Sequence, residues 1–102
     1  MHLDEYQAAA QGTAGTPLEC SLLGLAGEAG EVCDYFKKVL HHGHVQDNEH
    51  IIKELGDVLW YVADIASQLG LSLNQIAVAN IAKLQRRYPH GFSQQASRDR
   101  NV

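Results

Sequence analysis

The chain has 102 residues, 45% hydrophobic and 20% charged, with a net charge of −4 and a pI near 5.8. That length makes one domain, the composition excludes a disordered chain, and the acidity argues against a dedicated nucleic-acid binder, which would carry a basic face. No apolar run approaches the ~20 residues of a membrane span and no leader precedes the domain, so the expectation is a cytoplasmic protein without membrane or nucleic-acid partners.

Leu3 to Gln11 is a short helix candidate closed by Gly12. Thr16-Pro17-Leu18-Glu19 then reads as a helix start, with threonine as N-cap, proline at the first helical position and glutamate closing a capping box. From Pro17 the apolar residues Leu22, Leu25, Ala29, Val32, Phe36 and Val39 keep a 3.6-residue period as far as His42, and Gly43 is the natural stop. After a loop, Asp47 or Asn48 caps a third helix that runs to Leu69 and ends at Gly70. Ser72 and Gln75 form a second capping box, with Leu71 and Ile76 as a hydrophobic staple, and open a fourth helix that ends at Tyr88-Pro89. The expectation is an all-α, four-helix bundle-like domain over residues 1–92, with helices near 3–11, 17–42, 48–69 and 73–88. Residues 93–102 are polar and without period, and read as a frayed tail.

The second helix carries Glu28 and Glu31, the third Glu54 and Asp57. Each pair is spaced i, i+3, so its carboxylates share one helical face. Both pairs lie in strongly apolar patterns, where an uncompensated charge is costly. Like charges at ~4 Å repel by about 4 kcal/mol at an effective dielectric near 20, so facing pairs call for a counter-charge. Oxygen-only ligation suits Mg2+ or Mn2+. The alternative is two ordinary solvated acidic faces. A symmetric antiparallel hairpin would put the first pair ~20 Å from the loop and the second ~13 Å, so the pairs meet only if the helices are offset or the second helix ends early.

The ordered array E-x-x-E, spacer, E-x-x-D, within GLAGEAGEV and KELGDVLWYVADIA and followed by LGLSLNQIAVANIAKLQRRYPHGF, resembles the MazG-type all-α nucleotide pyrophosphohydrolases from about Leu3 to Phe92. The resemblance implies an enzyme that hydrolyses nucleoside triphosphate to monophosphate and pyrophosphate. Glu28, Glu31, Glu54 and Asp57 would be its metal ligands and catalytic acids, and nucleotide-pool house-cleaning a role it could serve. The residues single out no one general base among the four. The resemblance also implies a homodimer or homotetramer, in line with apolar faces on the second and third helices too broad for their neighbours to cover. Two alternatives stand beside it: a related phosphoribosyl-ATP or dUTP hydrolase, and a non-catalytic helical module whose acid pairs make subunit or partner contacts.

Candidate nucleotide contacts lie outside the acids. Asn80, Lys83 and Arg87 form one stripe on the fourth helix, and Lys38 lies two turns beyond Glu31 on the second. Lysine and arginine suit phosphate; the alternative is a solvated basic face at a helix end. Trp60 and Tyr61 suit either a nucleobase or core and interface packing. Gly24, Gly27 and Gly30 suggest a flattened surface, for tight helix packing or for phosphate. Asp34 and Asp64 read as solvated helix surface. Cys20 and Cys33, about 20 Å apart on one helix, cannot pair within the chain and read as small core or near-core residues. Among the histidines, His41, His42 and His44 read as helix-end residues rather than ligands. A ferritin-like di-iron site is excluded, because no glutamate here is followed by histidine three residues on.

Overall fold

A computed structural model describes residues 1–100. Among them there are five α-helices and no strand: α1 (Leu3–Ala10), α2 (Leu18–His41), α3 (Asn48–Gln68), α4 (Leu73–Arg87) and α5 (Gln94–Arg98), with a 3₁₀ turn at Gln11–Thr13. The first four occupy the expected segments. Pro17, not Thr16, is the N-cap of α2, because its extended ψ of 157° places its carbonyl to accept from Cys20 and Ser21. The stretch read as a frayed tail holds the five-residue α5, started by Ser93, whose hydroxyl accepts from the Ala96 N–H. The last two residues of that expected tail, 101 and 102, lie outside the described residues.

The caps behave as their chemistry requires. The Asp47 carboxylate accepts the Glu49 N–H at 3.0 Å, and Ser72 with Gln75 closes the capping box of α4. At Gly70, φ of +73° lets the Leu71 N–H return to the Ala66 carbonyl at 2.8 Å, a left-handed stop that a side chain would strain.

The centre of the fold is the antiparallel hairpin of α2 and α3. Its register is held at both ends. Near the loop, the Tyr35 ring stacks on His50 at 4.4 Å, and the Tyr35 hydroxyl accepts the Asp47 N–H at 2.7 Å. At the far end, Ser21 donates to Asp64, and Gln68 donates to Asp64 at 3.0 Å and to the Thr16 carbonyl at 3.1 Å. Between them Gly24 receives the ring of Tyr61; a methyl at that position would overlap it. In this register α2 overruns the start of α3 by about one turn, which resolves the hairpin mismatch through an offset rather than an early helix end.

Asp64 is therefore not solvated surface: it is 4% exposed, and its partner Ser21 is fully buried. Asp34 is half-exposed and paired with Lys37 and Lys38, both at 3.0 Å. Cys20 and Cys33 are exposed on α2, not core or near-core residues.

The N-terminal helix joins the hairpin to α4. Gln7 is buried; its amide donates to Ser67 Oγ and the Leu71 carbonyl, each at 2.9 Å, and accepts the Leu73 N–H at 2.8 Å. The fully buried apolar core is small, comprising Ala63, Ala66 and Leu73 with Ala10 and Val62 against it. The chain measures 42 × 38 × 28 Å with a radius of gyration of 16.5 Å, against ~13 Å for a compact domain of this length. Leu23, Ile52, Leu55, Val78 and Ile81 stay exposed.

Candidate metal and nucleotide site

The hairpin register sets the acids of α2 level with those of α3. One carboxylate oxygen from each of Glu28, Glu54 and Asp57 lies within 4.8 Å of the others. Glu31 is outside this trio but lines the cavity beside Glu54. The structure thus brings three of the four expected ligands together, with the fourth one turn along α2.

Two features show that this donor set fits a hard cation. All the donors are carboxylate oxygens, and Oε2 of Glu54 is buried with no hydrogen-bond partner among the described residues. A buried carboxylate oxygen without a donor is costly, and a bound cation would satisfy it. Burial first, and then the charges of Asp57, Glu31 and Glu54, push the Glu28 carboxyl above its ordinary range. No histidine joins the ligand-competent group among the described residues.

Cavities flank the trio on two sides. One, of about 600 Å³, is lined by Gly27, Gly30, Glu31, Lys38, His50 and Glu54, among others. A side-chain carbon at Gly27 or Gly30 would meet nothing within 4 Å, so these glycines leave room, whereas Gly24 serves helix packing. The other, of about 310 Å³, is lined by Thr13, Glu28, Asp57, Trp60 and Tyr61. Trp60 Nε1 donates to Thr13 Oγ1 at 2.8 Å, and the Trp60 and Tyr61 rings meet edge to face at 4.9 Å. The acids thus stand between an aromatic recess and one bearing Lys38.

Comparison with known proteins agrees with this geometry. The profile of the MazG nucleotide pyrophosphohydrolase domain matches residues 17–92. The chain belongs to the MazG family. It is also 40% identical over 108 residues to "Gene 37 protein" of Mycobacterium phage L5, a match covering 92% of this chain and 95% of that protein. No solved structure gave a significant match.

The MazG match begins at residue 17, yet the site extends upstream of it. Thr13 lines the aromatic recess, and Tyr6 of α1 feels the Asp57 charge, which adds to burial in raising its phenol pKa. No signal in the sequence marks Thr13. His50 carries one, because it lies i, i+4 from Glu54 on one face of α3; its Nε2 is 3.3 Å from Glu54 Oε1. The basic stripe is placed differently from the acids. Asn80, Lys83 and Arg87 lie on α4, which packs on α1, and none of them lines either cavity beside the trio. Arg87 also lies over the Tyr88 ring, 5.9 Å from its centroid. Among the described residues no helix is long and apolar enough to cross a membrane.

Proposed function

We propose that the protein is a divalent-cation-dependent nucleoside triphosphate pyrophosphohydrolase, which cuts between the α and β phosphates and releases monophosphate and pyrophosphate. The supporting observation is the carboxylate trio from opposed helices, within 4.8 Å, one member of which, Glu54, has a buried oxygen with no hydrogen-bond partner among the described residues. Glu28, Glu54 and Asp57 would hold Mg2+ or Mn2+, with Glu31 close enough to complete the set. A cation bound there supplies charge neutralisation at the phosphate oxygens and activates water. Trp60 and Tyr61 offer the base a face to stack on. Lys38 balances phosphate charge from the other recess, sharing its ammonium with Asp34. That aspartate is held down to about 2 by hydrogen bonds from Lys37 and Lys38, so it stays charged whenever the site is used.

The decisive assay offers ribo-, deoxyribo- and modified triphosphates with Mg2+ or Mn2+ and quantifies both products. Equal amounts of pyrophosphate and monophosphate are expected, with none in chelator. Orthophosphate release would overturn the cleavage site; no turnover of any triphosphate would overturn the enzymatic reading.

Asn80, Lys83 and Arg87 would reach nucleotide on the trio from a second copy, since α4 packs on α1 and none of the three lines a cavity beside the trio. The exposed leucines and isoleucines of α2, α3 and α4 give that copy an apolar surface to bury, so the working unit is at least a homodimer. Lys83→Ala should lower catalytic efficiency by about ten- to a hundredfold, the worth of one charge-assisted phosphate contact. Mixing it with an inactive Glu54→Gln protein should restore activity, because one site of the mixed dimer is then intact. Monomeric sedimentation at micromolar concentration would refute this arrangement, as would the absence of restoration in co-assembled mixtures.

A further inference from the structure

The proposed ligand Glu54 uses its two oxygens differently. Oε2 is buried with no hydrogen-bond partner among the described residues, Oε1 lies 3.3 Å from His50 Nε2, and one oxygen of the carboxylate lies within 4.8 Å of oxygens of Glu28 and Asp57. The imidazole is itself located. Its ring stacks on Tyr35 at 4.4 Å with an interplanar angle of 27°, and the Tyr35 hydroxyl holds the backbone N–H of Asp47, the cap of α3. A chain of contacts therefore runs from the capped start of α3 through Tyr35 and His50 to one oxygen of Glu54. A glutamate has three rotatable side-chain bonds, and fixing one oxygen fixes where the other points.

We infer that His50 is a positioning residue for the cation site, holding Glu54 through Oε1 so that Oε2 faces the oxygens of Glu28 and Asp57. This rests on the reading of the trio as a cation site. The role asked of the imidazole is that of an Nε2–H donor toward Oε1 across the 3.3 Å contact. The principle is the one by which groups behind a metal ligand set its orientation and typically change affinity by about 10–100-fold. His50 is itself half-exposed, which places it toward the lower end of that range.

The test uses Mn2+ alone, read by calorimetry and by the electron paramagnetic resonance of free ion, on the intact protein and two variants. His50→Phe keeps a ring on Tyr35 and removes the donor; His50→Gln supplies an amide donor and gives up the ring. The expected result is about tenfold weaker Mn2+ binding in His50→Phe and affinity within about threefold of the parent in His50→Gln, with both metal-free proteins melting as the parent does. Parent-like affinity in His50→Phe would overturn the inference and leave the cation site standing. Equal losses in the two variants would overturn it as well, since the ring rather than the donor would then matter. If the parent binds no Mn2+, the cation site fails and this role fails with it.

Discussion

Replacing Glu54 by glutamine is expected to abolish measurable turnover, a loss of about a thousandfold or more. The substitution keeps shape and helix propensity but removes the charge from a carboxylate with a buried oxygen that has no hydrogen-bond partner among the described residues. Loss of one charged ligand from a cation that stabilises a phosphoryl transition state costs several kcal/mol, and each ~1.4 kcal/mol is tenfold in rate. Stability should move the other way when metal is absent. Burial first, and then the charges of Asp57, Glu31 and Glu54, raise the Glu28 carboxyl above its ordinary range. The folded state therefore holds the Glu28 proton more tightly than the unfolded state does, and stability falls as pH rises from the unfolded value through the folded one. Glu54→Gln weakens that effect. In chelator at neutral pH the variant should melt above the parent, and saturating Mn2+ should reverse the order. Thermal melts with and without Mn2+ check this together with pyrophosphate release. Full activity in Glu54→Gln would remove this residue from the ligand set.

The largest effect on stability is expected far from the cation site, at Asp64. Asp64→Ala should cost about 2–4 kcal/mol, because it leaves the fully buried Ser21 hydroxyl without its acceptor and removes one partner of the Gln68 amide. Against a total of ~5–15 kcal/mol for a small domain, that is a large share. Both donors reach the same oxygen, Oδ2, so Asp64→Asn can present a carbonyl oxygen there and should lose only about 1 kcal/mol. Urea unfolding of the three proteins decides the matter. A parent-like midpoint in Asp64→Ala would mean that packing alone holds the far end of the hairpin.

How far sequence reached depended on whether a feature is local. Asp47, Ser72 with Gln75, and Gly70 act within a few residues of themselves, and helix limits read from them agree closely with the structure. The acids were legible because their i, i+3 spacing is also local. Thr16 and Pro17 are both acceptable in the helix-start pattern, and the extended ψ at Pro17 decided between them. Asp64 was misread because a lone aspartate on a helix is solvated unless something covers it, and its cover, Ser21, comes from 43 positions earlier. The cysteines were misread in the opposite direction, since small residues in a periodic run look internal until the width of the covered face is known. Glu31 shares its pattern with Glu28, yet the two project at different heights along the hairpin, and only Glu28 meets both Glu54 and Asp57. The placement of α4 is a tertiary property to which Gln7 and Asp4 contribute from the other end of the chain, by accepting the Leu73 and Asn74 N–H groups.

Because the register of the hairpin is pinned by Tyr35 with His50 at one end and Ser21 with Asp64 at the other, the connecting segment between His41 and Asn48 is not needed to measure it. That segment lies exposed throughout, apart from the cap that Asp47 provides. The segment can therefore be lengthened while the acids of α2 and α3 stay level. A hairpin clamped in this way tolerates a longer connection, because each doubling of a loop's length adds only about 0.6 kcal/mol to the cost of closing it.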